Sequence, residues 1–339
     1  MPKFRHPLTL FSEAAQPRAE LWRTVLGIGF AATMVVALSL LARIGIEELL
    51  FGVSGDGGAM VGAALHEAAA PTSTVSFLIY IAAFAGVWPA LWITTRVVHG
   101  RSGATLWGPS RRINWRHFRI GLAISLALGA AGWMPWVYMH PDDEIVVRAL
   151  RDWWPILAIG LPLVFVQTAA EELFFRGYLL QQFAARAWSI LGWSVLPSLM
   201  FAALHNGLDQ PLGLNWFSFV FGLIMAAVTS RTANLGAAVG LHFGHNIINV
   251  LLIAPLSLEM NAALISRPDV DLLGPNLIYI GVMFVGALIY MGRADLKFLN
   301  AWRNDPSRAG QPPIRLVLPV SERLLEKQRA RAARNRGEA

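Results

Sequence analysis

The sequence predicts an all-α fold: a polytopic membrane helix bundle of about eight transmembrane helices with both termini cytoplasmic. Three observations lead there. Apolar residues make up 55% of the chain and charged residues 14%, against about 25% charged in ordinary soluble domains. Apolar stretches approaching the roughly 20 residues that a helix needs to cross a bilayer recur along the chain. Basic and acidic residues alternate between successive connecting loops, as the positive-inside rule requires of a multi-pass protein.

The apolar stretches are Thr24–Ala42, Thr74–Thr95, Ile120–Met139, Trp153–Ala170, Trp188–Leu204, Leu214–Ser230, Asn234–Ala254 and Gly274–Gly292. The fifth and sixth are short and suit tilted or partly shielded helices. Pro89, Pro162 and Pro197 fall inside them, which a membrane bundle tolerates. The loop after the second stretch carries Arg96, Arg101, Arg111, Arg112, Arg116 and Arg119. Arg176 and Arg186 follow the fourth, and Arg231 follows the sixth. Alternate loops lean acidic, with Glu47, Glu48, Asp56 and Glu67, then Asp142, Asp143 and Glu144, then Asp209, then Glu259, Asp269 and Asp271. Trp22, Trp88, Trp153, Trp154 and Trp188 lie near span ends, where interfacial anchors are expected.

Residues 1–23 read as a cytoplasmic N-terminal segment. Residues 24–292 read as the bundle, with a motif-bearing core at 153–255, and residues 293–339 as a basic cytoplasmic tail. The tail holds eleven Lys/Arg against five Asp/Glu. Its stretch Ser321–Arg336 reads as a solvated tail, with a basic helix on anionic lipid as the alternative. The polar stretch before the first span lacks a small-x-small cleavage site, so that span reads as a retained helix. The net charge of +7 sits in short flanking segments, which points to membrane orientation and a lipid partner, with no nucleic acid. The absence of cysteine excludes disulfides, thiolate chemistry and Cys-based metal sites.

Three polar clusters interrupt the apolar runs. Glu171-Glu172-Leu-Phe-Phe-Arg176 closes the fourth. Phe201-Ala-Ala-Leu-His205 closes the fifth. His242-Phe-Gly-His245-Asn246 lies within the seventh. A charge in the bilayer core costs at least about 2.5–3.5 kcal/mol, so ionisable residues there mark function by default. Glu172 and Arg176 are i,i+4 and can pair on one helix face. Glu171 points about 100° away. His242 and Asn246, and His245 and Asn249, form two further i,i+4 pairs. Glu171 and His205 lie equally far from position 188, so a hairpin turning there brings them to one depth. That requires the fourth helix to continue through Tyr178 and Leu180.

Convergence of these clusters suggests water activation. A carboxylate beside His can act as general base, and His with Asn one turn apart can donate to a developing oxyanion. Alternatively, Glu171, His205 and His242 match a catalytic set for a divalent metal such as zinc, with an open water position. A proton or ion pathway, as in a proton-coupled transporter, is the competing function. Two decoys fail. Gly52-Val53-Ser54-Gly55 has a serine-protease spacing without the helix that would bury it. His66-Glu67 begins an HExxH whose fifth position is Ala70.

The three motifs, in order, resemble EExxxR, FxxxH and Hxxx(N/D) of the CAAX prenyl protease and bacteriocin-processing (CPBP, or Abi) family of intramembrane proteases. The resemblance covers about residues 153–255. It implies an intramembrane endopeptidase acting on a peptide or protein substrate, lipidated in some members. It implies that Glu171 and His205 activate water, that His242 and Asn246 stabilise the oxyanion, and that Glu172 and Arg176 organise the first cluster. Both metallopeptidase and metal-free glutamate mechanisms are attached to the family. Some members are interaction or immunity proteins without known proteolysis. His245 lies outside the pattern and reads as a helix-packing residue or a partner of the site residues.

Overall fold

The computed structural model of the chain describes residues 6–51, 62–63, 65–67, 71–139, 145–186, 190–205, 215–255 and 262–267, with Gly281 and Gly286. The eighth expected span, the C-terminal tail, Gly52–Gly55 and most of the acidic loop residues lie outside them.

The described residues are mostly helical. Helix α1 (Pro7–Ser12) starts where Pro7 supplies a preset φ and the His6 side chain accepts from the Leu8 amide. A 3₁₀ turn, Glu13–Arg18, follows. This segment is docked: Leu8 and Phe11 are buried. Helix α2 is Leu21–Phe51. Helix α3 (Thr74–Val97) starts in a capping box, in which the Ser73 and Ser76 side chains reciprocally satisfy backbone amides. It passes through a 3₁₀ stretch at Ala83–Gly86. Helix α4 is Trp115–Met139. Helix α5 (Leu150–Ala185) runs through the Glu-Glu pair without a break, as the hairpin argument requires. Helices α6 (Leu191–Leu204), α7 (Trp216–Thr232) and α8 (Gly236–Leu252) are shorter.

By length and composition, Leu21–Gly45 of α2, α3 and α5 can each cross a membrane. At 1.5 Å per residue, α6 to α8 reach roughly 20–26 Å, short of the ~30 Å hydrocarbon core. Helix α8 is covered by neighbouring helices, every residue from Gly236 to Gly244 being buried, whereas α6 exposes Leu191 and Leu204 and α7 exposes Trp216.

The closest helix packing places the third polar cluster. Gly236, Gly240 and Gly244 form a small-residue row along α8, facing α4. A Cβ on Gly240 would lie 2.1 Å from the Phe118 carbonyl oxygen, and one on Gly244 would lie 2.7 Å from the Ser125 Cβ. Small residues at such spacing let membrane helices approach through their backbones, and dispersion holds them there. At the α7–α8 corner, Ala233 takes a left-handed conformation with φ 52°. The buried Asn234 side chain then donates to the Trp107 and Arg112 carbonyls and accepts from the Asn114 and Gly236 amides. One amide thus ties the loop before α4 to the start of α8.

Three short strands depart from the all-α expectation. They are β1 (Val146–Val147), β2 (Ile253–Pro255) and β3 (Ile265–Arg267). β3 pairs antiparallel with β1 and parallel with β2. The helix expected to reach Ala254 stops at Leu252, because Ile253 turns extended and Pro255 could not donate to a helix. Two tryptophans expected at the interface point inward. Trp153 is buried and donates to the Leu251 carbonyl at 2.9 Å, and Trp88 donates to the Val166 carbonyl at 3.1 Å. Each indole N–H thus finds a backbone acceptor inside the protein, and the Leu251 carbonyl accepts from the Leu264 amide as well. Trp22 and Trp154 are exposed, in keeping with interfacial positions.

Beyond the end of α3, His99 is held between the Arg18 carbonyl at Nδ1 (3.1 Å) and the Tyr178 hydroxyl at Nε2 (2.9 Å). The carbonyl can only accept, so Nδ1 carries the proton and Nε2 accepts from Tyr178. Burial pushes His99 from 6.5 down to about 4. The Arg101, Arg23 and Arg186 charges act the same way, against the Arg18 carbonyl. The unfolded chain therefore binds the proton more readily, and stability falls as pH drops from about 6.5 to about 4. Thermal unfolding in detergent across that window should show the loss, and His99→Gln should flatten it. Gly240→Ala should lower stability by about 1–3 kcal/mol, the usual cost of overpacking a tight contact, read as a lower unfolding midpoint.

Candidate active site

The first and third clusters are joined by a buried ion pair. Glu172 and Arg176, one turn apart on α5, are both buried and stand 2.9 Å apart. The Arg176 guanidinium also donates to the Gly222 carbonyl on α7 at 3.2 Å, and it lies 4.8 Å from the Phe201 ring centroid on α6. The other partner of Glu172 Oε1 is His242 Nδ1 on α8, at 2.8 Å. A carboxylate paired with arginine accepts only, so His242 Nδ1 carries a proton. In the neutral ring, Nε2 is then a bare lone pair.

His205 is fixed in the same way. Its Nδ1 lies 2.8 Å from the Phe201 carbonyl, one turn back on α6. It too must donate there, which leaves its Nε2 as an acceptor when neutral. Both Nε2 atoms face Glu171. Glu171 Oε2 lies 3.9 Å from His205 Nε2 and 3.7 Å from His242 Nε2. It is buried and has no direct hydrogen-bond partner. Three acceptor atoms thus converge at separations too long for direct bonds. That spacing suits a water that donates into the cluster.

Asn246 lies one turn beyond His242. Its Nδ2 is 3.0 Å from Gln167 Oε1 and 3.2 Å from Thr168 Oγ1. Gln167 Nε2 in turn donates to Glu171 Oε1. Neither Gln167 nor Thr168 was singled out from sequence. The available signal was a polar pair inside the apolar run, with Gln167 one turn before Glu171. His245 engages other neighbours. It stacks on Phe217 at 5.2 Å and bonds Asn249 at 3.1 Å. Helix α5 becomes π-helical at Leu173–Leu180 and α8 at Ile247–Leu252. Both transitions directly follow motif residues, a common placement for π segments.

Glu171, His205, Gln167 and Asn246 line one end of an apolar cavity of about 710 Å³. Its other walls come from α2 (Ile28, Ala31, Val35), α3 (Phe77, Tyr80, Phe84) and Phe174 of α5. The size falls in the range of ligand-sized pockets.

Glu171, His205 and His242 supply the donor types a catalytic zinc takes. Among the described residues, however, no three such side chains stand at metal-holding separations.

Removing one partner of the buried pair should be costly. Arg176→Leu leaves Glu172 buried and uncompensated, an expected loss of about 3–5 kcal/mol. Arg176→Leu combined with Glu172→Leu should recover much of it. Detergent unfolding of the single and double variants measures both.

Residues 152–248 match the family model described as type II CAAX prenyl endopeptidase Rce1-like. The uncharacterized protein YyaK of Bacillus subtilis (strain 168) is 31% identical over 185 residues, which is 53% of this chain and 60% of that protein. The chain thus spans less than two thirds of the length of this curated relative. No solved structure matches the chain. Over residues 152–248, the chain is thus similar to the Rce1-like type II CAAX prenyl endopeptidases.

Proposed function

We propose that this protein is an intramembrane endopeptidase that hydrolyses a peptide bond with water activated by Glu171 and His205. One observation carries the proposal. The unpartnered Glu171 Oε2 lies within 4 Å of two imidazole Nε2 atoms, at the wall of an apolar cavity. Glu171 takes a proton from the water as its oxygen bonds the scissile carbonyl carbon. His205 orients the water and relays the proton to the departing amine as the C–N bond breaks. His242, held through Nδ1 by Glu172, donates to the oxyanion from Nε2 once that atom has taken a proton from solvent, and Asn246 donates beside it. Glu172 and Arg176 hold His242 in place. The apolar walls accept the hydrophobic part of a peptide or protein substrate, including a lipidated one.

A divalent metal at this site would need Glu171, His205 and His242 to draw closer together than they stand. It would supply Lewis acidity to the water. Elemental analysis and a chelator series on the purified protein separate the two mechanisms.

The direct test is a cleavage screen in detergent or liposomes, read by mass spectrometry, with peptides bearing apolar or lipidated C-terminal segments. Glu171→Ala, His205→Ala and His242→Ala should each abolish cleavage while the protein still inserts. Loss of a positioned general base alone costs about 10²–10⁴-fold. Full activity in all three variants would refute the peptidase proposal. Substrate flux driven by a pH gradient without cleavage would favour a transporter.

A further inference from the structure

We infer that Gln167 is a positioning residue of the hydrolytic site, one amide that holds the Glu171 carboxylate and the Asn246 amide in a single register. The inference rests on the peptidase proposal, because it assigns roles within the same site. It goes beyond that proposal in naming a residue outside the three motifs.

Proton bookkeeping fixes the direction of the chain. An ionised carboxylate only accepts, so Gln167 must present its NH₂ group to Glu171 Oε1. The Gln167 carbonyl oxygen then faces the other way, toward α8, and can only accept. Asn246 must therefore present its Nδ2 there, at 3.0 Å. Its second Nδ2 hydrogen rests 3.2 Å from Thr168 Oγ1 and is the one free to turn to the oxyanion when it forms. A single negative charge thus sets the orientation of two amides on two helices.

The consequence for Glu171 is asymmetry. Oε1 is engaged by Gln167, and Oε2 is left for the two imidazoles. Without Gln167 the carboxylate could rotate about its last bond, and Asn246 would lose its acceptor. Gln167 precedes Glu171 by one turn of α5, so the helix backbone fixes their relative placement. Asn246 comes from α8, so the same amide also sets the spacing between the base and the oxyanion donor across two helices. A small misplacement of such groups costs about 10²-fold in rate.

The test uses Gln167→Leu, which keeps approximate volume and removes both hydrogen bonds. The full-length protein is assayed with a peptide the wild type cleaves, and Glu171→Ala is the reference for loss of the base. The expected result is a fall in kcat of about 10²-fold with KM and unfolding midpoint little changed. A merely structural role would lower the midpoint and leave kcat per folded molecule intact. A second readout needs no substrate. The infrared carboxylate stretch of Glu171, assigned by its loss in Glu171→Gln, should shift in Gln167→Leu. If the wild type cleaves, Glu171→Ala does not, and Gln167→Leu matches the wild type in kcat and band position, the inference is overturned and the peptidase proposal stands. If the wild type cleaves none of the peptides but the band shifts, Gln167 still positions Glu171 and the peptidase proposal fails.

Discussion

The structure of the site depends on one carboxylate oxygen. Glu172 Oε1 is shared by Arg176 at 2.9 Å and His242 at 2.8 Å. Through the guanidinium, the contact extends to the Gly222 carbonyl of α7 and the Phe201 ring of α6. Four helices therefore meet at one buried ion pair. Breaking such a pair leaves a charge uncompensated in a low-dielectric interior, which makes the geometry unforgiving. It also directs chemistry, because an imidazole that donates from Nδ1 to Glu172 exposes Nε2 to Glu171.

Division of labour between adjacent carboxylates follows from helix geometry. Glu171 and Glu172 differ by one residue and so by about 100°. Glu172 faces the ion-pair interior, with its side chain fully buried. Glu171 faces the cavity, which it helps to line. The same chemical group thus serves as a structural anchor at one position and as the proposed base at the next. The apolar walls beside Glu171 lower the local dielectric, which strengthens the electrostatic contacts of its carboxylate.

Much of this was legible in the sequence. Charges inside apolar runs pointed to the candidate site, and i,i+4 spacing foretold the Glu172–Arg176 pair. Equal distance from position 188 foretold that Glu171 and His205 meet, provided α5 continued. Other features were hidden for physical reasons. The Gly236, Gly240 and Gly244 row was visible as letters, but its partner α4 was not, because contact across helices is set by packing. Trp153 reads as an interfacial anchor in any hydropathy profile, and only the Leu251 carbonyl reveals it as an internal cap. Gln167 is polar but uncharged, so it carries little signal until its neighbours are placed. The short strands around Ile253 and Ile265 escape a reading based on apolar length.

The central claim is that Glu171, on α5, and His205, on α6, face each other across one site. The chain has no cysteine of its own, so thiol cross-linking tests this directly. In membranes, Glu171→Cys combined with His205→Cys should cross-link within one molecule by a short bifunctional reagent. If both thiols react singly with the reagent and yet no intramolecular cross-link forms, the two residues do not face each other and the account is contradicted.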